Sequence, residues 1–203
     1  MSESREIKTP HGPARVHVDA TRRARGGLML GHGAGGGPDA PDLRAAAEAA
    51  KQEGMTVALV EQPYRVAGRR APAPAGQLDT AWIAVAAALA ENELKGLPLV
   101  AGGRSLGARV ACRTSAETGA AAVLCLAFPV HPPGKPEKTR IEELTAVKLP
   151  VLVVQGESDP FGMPSRGRGR KVVTVPGNHG LKKDLDAVGD AVASWLGSLK
   201  LAR

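Results

Sequence analysis

Leu97 to Val110 reads LPLVAGGRSLGARV, and within it Gly103, Arg104, Ser105, Leu106 and Gly107 form the pattern G-x-S-x-G. An apolar strand-like run precedes the pattern and a helical run follows it, and this context gives the pentapeptide its meaning. A serine at a sharp strand-to-helix turn leaves its hydroxyl exposed. Glycines two positions to either side remove side chains that would collide with neighbouring elements. The serine also sits at a helix N-terminus, where unpaired N–H groups and the helix dipole favour negative charge. The competing reading makes Ser105 an ordinary helix N-cap, a role serine favours. The strand before it and the helix after it weigh toward a nucleophile elbow.

Working outward, short β-type runs alternate with longer helical patterns over nearly the whole chain, as in a mostly parallel sheet wrapped by helices. Strands are predicted at Ala14–Val18, Gly27–Gly31, Thr56–Glu61, Leu97–Ala101, Ala121–Ala127, Val151–Gln155 and Lys171–Val175, seven in one sheet. Helices are predicted at Asp39–Glu53, Gln77–Glu93, Ser105–Glu117 and Asp184–Leu199. In the second of these, Leu78, Trp82, Val85 and Leu89 recur at helical spacing, which puts Trp82 in the core. Pro63–Gly76, Pro129–Pro136 and Asp159–Arg170 read as loops from their Pro, Gly and Arg content. None is long enough for a separate lid. The fold class is therefore α/β, a three-layer α/β/α sandwich with a doubly wound sheet and no cap domain, and residues 1–203 are expected to form one domain.

Loops leaving the carboxyl ends of parallel strands build the ligand crevice, so partners for Ser105 belong there. A serine hydroxyl attacks an acyl group only with a base beside it, and the base needs a group to orient it. His179 follows the strand Lys171–Val175 through a Pro-Gly-Asn turn and precedes the last helix. His11 and His17, in the amino-terminal segment, fit surface or strand-face roles, whereas His32 and His131 also stand at strand ends. Asp159 follows Val151–Gln155 within GESDPFG. It lies 54 residues after Ser105, and His179 lies 20 residues later, giving the chain order Ser, Asp, His. That order is one of those found in serine hydrolases.

The segment Gly31–Gly37, GHGAGGG, contains G-x-G-x-x-G directly after the strand ending in LML. A dinucleotide fingerprint should open a helix at its glycines, but Pro38 and Pro41 delay it, and no Lys-Ser or Lys-Thr completes a phosphate loop. The loop suits an oxyanion hole instead, with the N–H groups of Ala34 and Leu106 as donors. His32, Gly33, His131 and Tyr64 are candidate substrate contacts, packing of its own loop being an equal alternative for Tyr64.

Composition narrows the classes further. Hydrophobic residues are 43% and charged residues 23%, which excludes a chain disordered throughout, and no apolar run is long enough to span a membrane. Aromatic residues are only 2%, so the core is aliphatic and base-stacking modules are disfavoured. The net charge of +7 is dispersed over Arg22, Arg23 and Arg25, over Arg69 and Arg70, and over Arg166–Lys171, all interleaved with loop residues. Solvated loops account for these clusters better than a nucleic-acid surface. The opening MSESREIKTP has no apolar stretch of a secretory signal, so a cytoplasmic location is expected. Cys112 and Cys125 lack metal-ligand spacing and read as reduced, buried small hydrophobes.

With these residues assembled, the chain resembles the α/β-hydrolase superfamily, specifically small lid-less hydrolases of the dienelactone-hydrolase-like type, from about Gly27 to the last helix. LGHGAGGGPDAP, GGRSLGAR and FPVHPPGKPEKTR followed by LPVLVVQGESDPFG look closer still to a branch that includes a subunit of a histone acetyltransferase complex. The resemblance implies Ser105 as nucleophile, Asp159 as orienting acid and His179 as base, with no metal or organic cofactor. It also implies that the HPPGKP segment, His131–Pro136, is a recurrent feature beside the pocket. Ala108 stands where related elbows often carry a second glycine, and the short chain implies that the first strand or strands of the full sheet are missing or irregular. The expected function is hydrolysis of small carboxylic esters or thioesters through an acyl-enzyme. The alternatives are a non-catalytic binding or scaffold protein that keeps the fold and, third, nucleic-acid binding through SRGRGRK, Ser165–Lys171.

Overall fold

The computed structural model describes residues 3–201. Eight strands form one sheet: β1 Glu3–Thr9, β2 Gly12–Asp19, β3 Gly26–Gly31, β4 Met55–Glu61, β5 Leu99–Arg104, β6 Ala122–Leu126, β7 Val151–Gly156 and β8 Arg170–Val175. Their order across the sheet is β1-β2-β4-β3-β5-β6-β7-β8. β1 pairs antiparallel with β2, β2 antiparallel with β4, and every later pairing is parallel. β3, β4, β6 and β7 are almost wholly buried and rich in Val, Leu and Ala, as strands covered on both faces must be.

Helices α1 Pro41–Gln52 and α6 Leu185–Ser198 cover one face, where Leu43, Ala46, Ala50, Val188, Val192 and Trp195 meet Leu28, Leu30 and Leu152. α3 Ala75–Glu91 and α4 Leu106–Arg113 cover the other, with Leu78, Trp82, Val85 and Leu89 packed on Met29 and Ala101. Trp82 is fully buried there, as its spacing predicts. The short helix α2 Pro63–Val66 opens the segment Pro63–Gly76 that composition reads as a loop, and α3 begins inside its end at Ala75; α5 Ile141–Thr145 lies in a connection. Because the connections out of β3 run one way to β4 and those out of β4 run back to β5, a crevice opens beyond the carboxyl ends of β3 and β5.

Further expectations are corrected. The sheet has eight strands, and β1, expected to be missing or irregular, is a regular edge strand. Only Ile7 and Thr9 are buried in it, so charged residues hide its pattern; Arg5 fixes the edge to the chain after α3 by a two-bonded pair with Glu93. β5 runs on to Arg104, because Gly102 and Gly103 pair with Leu124 and Cys125. A Cβ on Gly102 would lie 2.5 Å from the Leu124 carbonyl oxygen, so glycine here permits close strand packing. α4 stops at Arg113, where the hydroxyls of Thr114 and Ser115 donate to the carbonyls of Val110 and Cys112.

Most of the basic clusters are exposed, as expected of solvated loops, but Arg25 is used structurally. Its guanidinium donates to the carbonyls of Glu53, Leu196 and Leu199, closing the end of α6 over β3. Cys112 and Cys125 are free, buried thiols 3.5 Å apart, and their mutual hydrogen bond and burial push the Cys125 thiol well up.

The close approach of α4 to the end of β3 predicts a stability difference. A Cβ on Gly107 would fall 2.2 Å from the Gly31 carbonyl oxygen, whereas one on Gly76, in the first turn of α3, meets nothing within 4 Å. Gly107→Ala is expected to cost about 3 kcal/mol in urea unfolding, and Gly76→Ala to leave stability the same or slightly higher. Equal stability of the two variants would show that α4 can move freely off β3.

Candidate active site

Ser105 stands between β5 and α4 with φ 51 and ψ −102, a left-handed backbone that a serine adopts only under constraint. Its N–H donates to the Leu126 carbonyl at 2.8 Å. The two flanking glycines make the bend possible, since a Cβ on Gly103 would lie 2.5 Å from the Gly31 oxygen. Ser105 occupies the N-cap position, yet its side chain makes no capping bond. Its hydroxyl turns to His179 instead, with Oγ 2.9 Å from Nε2.

His179 Nδ1 lies 2.8 Å from Asp159 Oδ2. A carboxylate only accepts, so Nδ1 carries the proton donated to it and Nε2 is left to accept from Ser105 Oγ–H. The Asp159 side chain is fully buried. It also accepts from Gln155 Nε2 at 2.8 Å and, through Oδ1, from the Phe161 N–H at 2.8 Å. Gln155 is itself held by the carbonyls of Phe128 and Gly162. Phe161 sets its ring edge-on to the His179 imidazole, centroids 4.3 Å apart.

Arg104, between the glycine and the serine of the pattern, joins three parts of this arrangement. Its Nη2 donates to the His179 carbonyl at 3.1 Å, and its Nε lies 3.0 Å from Asp42 Oδ2 at the start of α1. Its guanidinium also fills the space above Gly33, where a Cβ would lie 2.7 Å from Nη1. Burial holds the Asp42 carboxyl above its ordinary range, the Arg104 charge offsetting only part of the effect.

A cavity of about 420 Å³ opens at Ser105, lined by Ala34, Leu78, Leu106, Pro129, Pro133 and Phe161 among others. Ala34 and Leu106, expected as backbone donors, thus both face it. The four residues expected against substrate are not among its lining residues. His32 is buried: its Nε2 accepts from the Gln62 N–H at 3.2 Å, so Nδ1 is the donor to the Gly33 carbonyl at 2.8 Å. Both ring nitrogens are thereby committed to backbone. Tyr64 donates to the Ala34 carbonyl at 2.9 Å and packs against His32, and burial pushes its phenol up to about 12. Gly33 is covered by Arg104, and His131 bonds through Nδ1 to the Pro132 carbonyl and packs near Gly162. Each makes contacts that hold a loop beside the site. His17 bonds Glu61 and His11 bonds Thr80, on strand and loop surfaces as expected. Arg104, Gln155, Phe161 and Asp42 escape sequence reasoning. Of these only Gln155 leaves a signal, as the one polar side chain in the apolar run VLVVQG.

Among the described residues no three His, Cys, Asp or Glu side chains are grouped to hold a metal ion. No described helix is long and apolar enough to cross a membrane.

A mostly parallel eight-stranded sheet with a serine elbow at its switch point defines the α/β-hydrolase fold class. The model of the alpha/beta hydrolase domain family matches residues 24–181, and the chain belongs to that family. Among solved structures, it is similar to a lid-less α/β serine hydrolase from Xanthomonas campestris at 22% identity, with 98% of this chain and 96% of that one covered and a TM-score of 0.76. Dienelactone hydrolase from Anabaena variabilis matches at 19% identity, 96% coverage of each chain and a TM-score of 0.76. An esterase from Pyrobaculum calidifontis matches at 18% identity, over 100% of this chain and 86% of that one, with a TM-score of 0.66. Among the described residues the compact fold has no cap domain.

The buried histidine predicts a pH dependence of stability. Burial lowers the His32 pKa from its ordinary 6.5, the bond to Gly33 opposing it in part. The unfolded chain then binds more protons than the folded one below pH 6.5, so the stability this group contributes is present above about 6.5 and is lost as pH falls toward its folded-state value. Urea midpoints measured between pH 7.5 and about 5 should fall with pH for the native sequence and fall less for His32→Asn. An identical slope in both would remove His32 as the cause.

Proposed function

We propose that the protein is a serine hydrolase cleaving small carboxylic esters or thioesters through an acyl-enzyme. The observation that carries this reading is the hydroxyl of Ser105, released from helix capping and bonded to His179, which is bonded in turn to buried Asp159. Ser105 Oγ attacks the acyl carbon while His179 Nε2 takes its proton. Asp159 holds the ring in the required tautomer and stabilises the imidazolium that forms. The carbonyl oxygen, now carrying negative charge, is received by the N–H groups of Leu106 and Ala34. Leu106 is the first residue of α4, so its N–H has no acceptor within the helix. His179 then protonates the leaving oxygen or sulfur; water, deprotonated by the same nitrogen, attacks the acyl-enzyme, and the proton returns to Ser105 Oγ as the acid leaves. The mainly apolar lining suits a small acyl group. The reading includes a single domain working in the cytoplasm, which the unbridged thiols Cys112 and Cys125 fit.

Arg104 acts as a positioning residue in this scheme, because its Nη2 holds the His179 carbonyl.

A fluorophosphonate probe followed by peptide mapping should label Ser105 alone. Ser105→Ala should abolish labelling and lower kcat for 4-nitrophenyl acetate by about 10⁴-fold or more with the fold intact. Retained turnover in that variant would overturn the assignment of Ser105 as nucleophile, and no labelling of folded native protein would favour the binding-protein alternative. Arg104→Gln should lower kcat by about ten-fold or more with little change in KM, since it shifts His179 and not the cavity wall. A rise in KM alone would contradict the positioning role.

A further inference from the structure

The cavity wall carries a charge that the hydrolytic scheme does not use. Arg109, Arg113 and Arg140 all line the cavity that opens at Ser105. Arg109 makes two bonds to Glu143, at 2.8 and 2.6 Å. Arg113 makes two bonds to Asp79, at 2.8 and 2.6 Å, and a third to Glu143 at 3.3 Å. These contacts tie α4 to α3 and α5, and two guanidinium groups are matched by two carboxylates. Arg140, the residue before α5, donates its backbone N–H to the Val130 carbonyl. Its guanidinium makes no hydrogen bond or ion pair with any of the described residues. Three cations therefore face two anions. Partial burial and the neighbouring Arg109 and Arg113 disfavour its charge, Glu143 only partly compensating, so the group is held there at a cost.

We propose that Arg140 is the anion-recognising residue of the cavity and that the substrate is an ester or thioester whose acyl group ends in a carboxylate. The inference rests on the hydrolase reading of Ser105. The acyl side is specified because Ala34 and Leu106, the donors to the carbonyl oxygen, line the cavity, whereas His179, which must meet the leaving group, does not. The acyl chain thus extends into the cavity and the leaving group departs past His179. The unmatched charge is a single one, which fits a carboxylate; a phosphate monoester would bring roughly −1.5 to −2. A guanidinium fork also accepts a carboxylate through two parallel bonds, which a lysine could not do equally well.

The test compares mono-4-nitrophenyl adipate with 4-nitrophenyl hexanoate, acyl chains of equal length that differ in the terminal carboxylate. Binding to Ser105→Ala is measured by calorimetry, and turnover with the native serine enzyme. The adipate ester is expected to bind about ten-fold or more tightly and to show the same preference in kcat/KM. Arg140→Gln should erase both preferences, and Arg140→Lys should retain a part. Equal binding of the two esters, or a preference that survives Arg140→Gln, would overturn the proposal. Turnover of both esters without preference would overturn it while leaving the hydrolase reading intact. A preference in binding that depends on Arg140, with neither ester turned over, would support the anion site and count against the hydrolase reading.

Discussion

The backbone contact between the end of β3 and the turn after β5 governs the geometry of everything beyond it. Gly31, Gly103 and Gly107 meet with no side chain between them, and any Cβ at Gly103 or Gly107 would lie within 2.5 Å of the Gly31 oxygen. That approach lets the chain reverse from strand to helix within one residue, and Ser105 absorbs the reversal at φ 51. Strain of this kind, about 1–3 kcal/mol for a residue in a sparsely populated region, persists only where packing fixes it. Here Trp82 and the buried residues of α4, Ala108 and Val110 among them, supply that packing. The serine is presented at the sheet edge because the helix cannot withdraw from the strand.

The opposite half of the site depends on polar contacts drawn from distant parts of the chain. Asp159 is fixed by Gln155 and the Phe161 N–H, and its turn is closed further by the bond from Asp159 N–H to the Gly156 carbonyl. His179 is held on its ring side by Asp159 and Phe161 and on its backbone side by Arg104. The ion pair of Arg104 with buried Asp42 joins the histidine loop to α1, while His32 and Tyr64 brace the glycine-rich loop from the other flank. These bonds remove freedom from loops that would otherwise carry the reacting groups on mobile segments.

Much of this was legible because parallel strands force the segments after them to one edge. Ser105, Asp159 and His179 all follow strands, but so do His32 and His131, and it is the resemblance to known hydrolases that singles out His179; the glycine-rich loop is legible from the prolines that delay its helix. β1 was hidden because an edge strand with only two inward residues shows no clear apolar alternation. His32 reads as a crevice residue from its position after β3, but its ring turns inward to satisfy the Gln62 N–H, a demand created by tertiary packing. The Arg104 pairing with Asp42, and the surplus of arginine over carboxylate in the cavity wall, join residues too far apart in sequence to leave a local pattern.

The central claim is that the turn at Ser105 presents a covalent nucleophile. Acid-quenched mass spectrometry of the native protein during turnover of 4-nitrophenyl acetate tests it most directly. The peptide containing Ser105 should gain one acetyl group at early times and lose it as substrate is exhausted. Product formation without that adduct under rapid quenching, or acetylation confined to another residue, would contradict it.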